Sequence, residues 1–291
     1  MSITVTGATG RLGRHAVETL LRRGVPAAQI VATGRDLDKI KDLADRGVTL
    51  RRADFSDADS LAAAFDGTQK LLLVSTTTPS ERIDNHRRAI DAARAAGVSH
   101  VVYTSTANAE SARMILAEAH RETERYLRDS GLAFTILRNG WYLENYTSQL
   151  AVYQQHGSIA GAAAQGRVSA ATIADYAEAA AAVLSTDGHL GAVYELGGDE
   201  AFTLAELAAQ VSEATGQAVV YNNLPADEYT RLLAGAGVPE PLAHVLADSD
   251  LGLARGELFA DTGDLRRLLG RPTTTPAEAI AAAITEQHRS S

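Results

Sequence analysis

His120 and Glu124 stand four residues apart in the run HRETE, a spacing that puts both side chains on one face of a helix. A histidine there can give a proton or a hydrogen bond to a newly reduced oxygen. It can equally be an ordinary helix histidine with its bonds satisfied. Glu124 either orients His120 or pairs with another neighbour. Thr104 and Ser105 close the run VVYTS and are candidate catalytic hydroxyls. Tyr142, with Trp141 beside it, offers flat apolar area to a planar ring. For Trp141, the only tryptophan, a core position is the alternative.

One device is missing. The only lysines are Lys39, Lys41 and Lys70, and no tyrosine is followed four residues later by lysine. In a Tyr-x-x-x-Lys relay the ammonium favours the phenolate, which then exchanges a proton with an alcohol or ketone. Such positioned acid–base help contributes about 10²–10⁴-fold in rate, or roughly 3–5 kcal/mol of barrier. A ketone reductase would lack it. A quinone has less need, because hydride transfer leaves a phenolate-like anion whose parent acid has a pKa of about 10. A cationic triphenylmethane dye takes hydride at carbon and needs no proton. The residues therefore point to strong hydride acceptors.

The hydride source is legible at the N-terminus. TGATGRLG sets Gly7, Gly10 and Gly13 between a strand-like and a helix-like run. Gly7 allows the turn, Gly10 lets backbone approach a pyrophosphate, and Gly13 allows close helix packing. The helix N-terminus then offers its N–H groups and dipole to phosphate. The second strand ends in Thr33-Gly34-Arg35, where a guanidinium suits the 2′-phosphate of NADP(H). A plain surface arginine is the alternative. Asp36 suits an N-cap better than a ribose contact. Asp54 and Phe55 close the third strand and either border the adenine or make a turn. Ser75, Thr76 and Thr77 close the fourth, at the carboxyl edge where such sheets bind ligands.

These residues need elements to hold them. Strand-like runs at 3–6, 30–34, 49–54, 70–75, 100–105 and 133–138 alternate with amphipathic runs such as RHAVETLLRRG. That alternation predicts a doubly wound parallel α/β sheet covered on both faces. After Asn145 the rhythm changes. Residues 155–166, QHGSIAGAAAQG, read as loop, 172–185 as an alanine-rich helix and 192–198 as a strand that can rejoin the first sheet. A soft boundary near 150 divides a nucleotide-binding domain, 1–150, from a smaller C-terminal α/β substrate lobe, 151–291.

Composition bounds the rest. The formal charge of −9 over 291 residues argues against binding nucleic acid or an anionic membrane surface. No run approaches the roughly 20 apolar residues that span a bilayer, and the first residues lack a basic leader pattern. Cysteine is absent, which excludes thiolate chemistry and fits a cytoplasmic setting. No paired histidine motif suggests a metal.

GATGRLG, the Arg35 strand end, HRETERYLRDSGLAFTILRNGWYLENY (120–146) and GRPTTTPAEAI together resemble the atypical short-chain dehydrogenases related to NmrA, on their quinone-reducing side, with dye reductases near. The likeness runs over nearly the whole chain. It implies a Rossmann-like cofactor domain under a smaller lobe. It also implies that Gly7, Thr9, Gly10, Arg11, Leu12 and Gly13 cradle the pyrophosphate, that Arg35 holds the 2′-phosphate, and that Ser75 to Thr77 line the groove. Asn139, Gly140, Trp141, Tyr142, Leu143 and Glu144 would lie beside the nicotinamide. Thr104 and Ser105 stand where related dehydrogenases carry a catalytic serine. Relatives of the isoflavone-reductase type carry lysine where this chain has His120, so that role does not transfer. The expected activity is NADPH-dependent two-electron reduction of quinones, with a homodimer compatible. Reduction of dyes or other xenobiotics, or cofactor sensing without turnover, are the alternatives.

Overall fold

The computed structural model describes residues 2–76 and 81–290. Its strands are β1 (Ile3–Val5), β2 (Ile30–Gly34), β3 (Thr49–Arg52), β4 (Lys70–Leu73), β5 (His100–Thr106), β6 (Phe134–Asn139), β7 (Ser158–Gly161), β8 (Val193–Leu196) and β9 (Val220–Asn223). The helices of the first half are α1 (Arg11–Arg22), α2 (Lys41–Asp45), α3 (Ala58–Phe65), α4 (Arg82–Ala95), α5 (Ile115–Asp129), α6 (Glu144–Thr147) and α7 (Leu150–His156). Those of the second are α8 (Ile173–Ser185), α9 (Leu204–Thr215), α10 (Ala226–Gly235), α11 (Glu240–Ala254), α12 (Asp264–Leu269) and α13 (Pro276–Ser290).

Seven strands form one sheet in the order β3-β2-β1-β4-β5-β6-β8, and every pair from β3 to β6 is parallel. β1, β2 and β5 are buried along their whole length, as strands covered on both faces must be. The fold is the expected Rossmann-like α/β one. Strand order reverses between β1 and β4, and ligands of such sheets bind outside the carboxyl ends at that reversal. The glycine turn follows β1, and Ser75 and Thr76 follow β4. Thr77 lies outside the described residues.

By its contacts the chain divides into two interleaved units rather than at one cut near 150. The first holds residues 1–106, 119–139 and 173–194, and the second holds 107–118, 140–172 and 195–291. In the first, Leu61, Phe65, Leu71, Ile90, Val101 and Leu127 form a buried cluster between sheet and helices. α8 belongs to this unit and packs on α1. In the second, Leu143, Leu150, Phe202, Leu204, Val211 and Leu253 make a separate core. α9 is fixed there by a capping box, Thr203 Oγ1 accepting from Glu206 N–H while the Glu206 carboxylate accepts from Thr203 N–H.

One expectation fails. Residues 158–161, read as loop, form β7, which pairs in parallel with β9. Its small residues conceal the strand because they are a packing requirement. A Cβ on Gly161 would lie 2.7 Å from an Asp250 carboxylate oxygen and 3.1 Å from Leu204.

Candidate functional site: a glycine turn at the strand-order reversal

The turn after β1 is tightly specified. Gly7 has φ +62°, a conformation that favours glycine, and its carbonyl accepts from Gly10 N–H at 2.9 Å. A Cβ on Gly13 would run into the Gly7 carbonyl and lie 2.9 Å from Ala8 Cα, so Gly13 is needed by the fold itself. Gly10 differs. A Cβ there would meet only the Gly7 oxygen, at 3.4 Å, and its φ of −97° is open to any residue. Packing within the chain does not demand that glycine, whereas close approach of a pyrophosphate would. Gly10 caps α1 without a side-chain hydrogen bond, and the first turn carries no acidic residue. Both features leave that end favourable to an anion. Leu12 is buried under the turn. Thr9 presses on Gly34, where a Cβ would strike its methyl group.

Arg35, at the end of β2, is exposed and forms no salt bridge among the described residues. Asp36 is spent locally, accepting from Asp38 N–H at 3.2 Å as the cap of a short 3-10 turn. Asp54 takes the turn alternative. Its carboxylate accepts from the Ser56 hydroxyl and backbone N–H at 2.7 and 3.0 Å, and those bonds hold it below the usual carboxylate range. Phe55 packs half-buried against the first core.

At the end of β4, Ser75 N–H donates to Thr104 Oγ1 at 2.9 Å and Thr76 N–H donates to His86 Nε2 at 3.1 Å. Arg82 Nε donates to the Thr76 carbonyl at 2.9 Å. Thr104 is 2% exposed, and its hydroxyl helps to fix the loop after β4. Ser105 is likewise committed, donating to Glu124 at 2.6 Å. Two buried oxygens at the carboxyl ends of β4 and β6, Thr76 Oγ1 and Asn139 Oδ1, have no hydrogen-bond partner among the described residues. An unsatisfied buried oxygen costs about 1–3 kcal/mol, and a cofactor with hydroxyl and amide donors would relieve both.

His120 and Glu124 do not work together. Glu124 accepts from Arg138 Nε and Nη2 at 2.9 and 2.7 Å and from Arg128 at 3.0 Å. Burial alone would raise its pKa, but Arg138 and Ser105 outweigh burial and hold it down. His120 instead meets the Tyr103 hydroxyl through Nδ1 at 2.7 Å and Arg82 through Nε2 at 3.5 Å. Arginine only donates, so Nε2 accepts and Nδ1 carries the proton. Burial, then Arg82 and His86, hold His120 well below its usual pKa. It is an interior ring held in its neutral form by burial. The Arg82–His86–Tyr103–His120 network was not visible in the sequence, since its members lie on three elements.

The segment after β6 turns into the second unit. Gly140 N–H donates to the Leu196 carbonyl at 2.8 Å, and 141–143 are pinned to Ala171 by Ala171 N–H to Trp141 O (3.1 Å) and Leu143 N–H to Ala171 O (2.9 Å). Leu143 packs into the second core at 1% exposure. Trp141 packs half-buried on the same core, while Tyr142 and Glu144 are also half-buried.

A family model described as NmrA-like matches residues 1–258. The chain belongs to the NmrA-like family. Within that family it is similar to Quinone oxidoreductase 2 of Escherichia coli K12, at 47% identity over 96% of this chain and 97% of that protein. The solved Escherichia coli NADPH-dependent quinone oxidoreductase complexed with NADPH superposes with a TM-score of 0.94, at 46% identity over 97% of this chain and 99% of that one. The Citrobacter triphenylmethane reductase complexed with NADP(H) follows at TM-score 0.91 and 37% identity, over 97% of this chain and all of that one. The solved structure of a mutant NmrA shares 18% identity at a TM-score of 0.77, which speaks for the fold alone.

Proposed function

We propose that the chain reduces quinones by two-electron hydride transfer, with NADPH as donor. The observation that carries this reading is the 47% identity to Escherichia coli Quinone oxidoreductase 2 over nearly both chains. The glycine turn, Arg35 and the two orphaned oxygens are what an NADP(H) molecule would engage; the turn and Thr76 flank the strand-order reversal, and Arg35 and Asn139 follow β2 and close β6 along the same carboxyl edge. When bound, the cofactor supplies the hydride. The residues supply the rest. The Gly7–Gly13 turn and the α1 N-terminus hold phosphate, Arg35 the 2′-phosphate, and Thr76 and Asn139 the nicotinamide end. Orientation and proximity then account for most of the rate. The neutral interior His120 and the committed Glu124, Thr104 and Ser105 leave no strong acid there, which suits an acceptor whose anion is only phenolate-basic. The likeness to triphenylmethane reductase supports dyes as a second class of acceptor. The absence of cysteine and the use of NADPH support a cytoplasmic setting.

The test is oxidation of NADPH and NADH by purified protein with and without 1,4-benzoquinone, against a protein-free control. Quinone-dependent turnover favouring NADPH is expected. Arg35→Gln should raise the KM for NADPH about 10- to 100-fold, the loss of a charged hydrogen bond of about 1.5–3 kcal/mol, and leave NADH nearly unchanged. Cofactor binding without turnover on any quinone or dye defeats the proposal.

A further inference from the structure

The second unit contains a group of polar atoms that the cofactor site does not use. Tyr146 on α6 is 8% exposed, and its hydroxyl has no hydrogen-bond partner. Its ring packs edge-on against Phe202 with centroids 5.9 Å apart. Tyr153 on α7 and Tyr229 on α10 also make no side-chain hydrogen bond among the described residues. Asp250 on α11 lies close enough to all three for its charge to be felt at their hydroxyls. Burial raises these tyrosines first, and the neighbouring Asp250 carboxyl raises them further. The carboxyl accepts only from Ala162 N–H, at 2.7 Å, and has no salt-bridge partner among the described residues. Tyr221 on β9 closes the group, lying over Gly161 beside Asp250. Its own hydroxyl is satisfied, accepting from Ala163 N–H at 2.8 Å and donating to Asn223 at 2.9 Å.

Three hydroxyl donors on aromatic rings, without protein acceptors and grouped around one carboxyl, specify a ligand. It is flat and apolar, so that the rings can cover it, and it carries carbonyl oxygens for the hydroxyls. It brings no negative charge to Asp250. A cationic dye answers the charge but offers no oxygen to Tyr146.

We infer that Tyr146, Tyr153, Tyr229 and Asp250 form a binding site for a neutral, carbonyl-bearing aromatic ring, with Tyr146 donating to a carbonyl oxygen. The site takes its ligand class from the quinone reading but stands on the unpartnered hydroxyl.

The experiment titrates full-length protein, without NADPH, with 2-methyl-1,4-naphthoquinone and follows the fluorescence of Trp141, the single tryptophan. Tyr146→Phe should weaken binding about 3- to 10-fold, one neutral hydrogen bond, while the melting temperature stays or rises because an unpaired hydroxyl is gone. The KM for quinone should rise, with that for NADPH and for a triphenylmethane dye unchanged. Unchanged quinone affinity overturns the inference, since the hydroxyl then makes no bond to the ligand.

A second arm needs no variant. Burial pushes Asp250 up to about 6. The groups that face it are Tyr146, Tyr153, Tyr221, Tyr229 and the Ala162 N–H; of the other carboxylates on its helix, Glu240 and Asp248, the second accepts from Ile115 N–H at 2.6 Å. A sulfonated naphthoquinone should therefore bind worse than its neutral parent above pH 6, with the gap closing toward pH 5. A gap that does not change with pH overturns the assignment of Asp250. Quinone binding without turnover would defeat the catalytic proposal and leave this site standing.

Discussion

Gly10 and Gly13 look alike in the sequence and do different work. Gly13 is pressed by the Gly7 carbonyl, whereas Gly10 has room for a methyl group. Gly10→Ala should keep the melting temperature within about a degree and weaken NADPH binding at least tenfold. Gly13→Ala should lower the melting temperature by several degrees, in line with the about 1–3 kcal/mol cost of overpacking. Thermal melts with and without cofactor separate the two. The spacing of the three glycines was legible because a phosphate turn constrains few residues, all close in sequence. Asp54 and His120 were ambiguous because a side chain's partner is decided in three dimensions. Ser56 captures the first, two residues on. Tyr103, on the strand β5, captures the second. The Tyr146–Asp250 group left only a faint trace, two aspartates, Asp248 and Asp250, in a mostly apolar helical run and two tyrosines seven residues apart.

At the scale of elements, helix α5 is tied to strands β5 and β6 by one buried carboxylate. Glu124 receives Ser105 from β5 and Arg138 from β6, with Arg138 itself 7% exposed. Removing one member of such a pair leaves a buried charge, at a cost of about 3–5 kcal/mol. Glu124→Gln should therefore reduce unfolding free energy by that amount in urea, and Arg138→Met alone should do the same. The paired replacement should recover part of the loss, which a double-mutant cycle measures. The strands of the sheet were readable from their apolar runs, since burial on both faces forces that composition. β7 was not, because its pairing partner β9 lies in a distant part of the sequence and Gly161 yields to Asp250.

For the whole molecule, the buried histidines set the response to acid. Burial, with Arg82 next, pushes His86 down to about 3, and burial, with Lys70 next, pushes His100 down to about 4. His120 is lowered as well. Their folded pKa values lie below the unfolded one, so the unfolded chain binds more protons and stability falls as pH drops from about 6.5. Asp250, raised in the folded state, acts in the opposite sense between about 6 and 4. Near pH 5 three buried histidines outnumber one raised aspartate, so unfolding takes up protons on balance and stability falls with acid. Urea titrations at pH 7 and pH 5 should show the loss; equal stability at both values would refute neutral burial of these rings. The interleaving of the two units bears on synthesis. The apolar face of α1, with Val17 and Leu20, is made early, while α8, which covers it, is made about 150 residues later. At about 5–20 residues per second that face waits roughly 8–30 s on the ribosome, long enough to make the nascent chain a client for chaperones that hold hydrophobic segments.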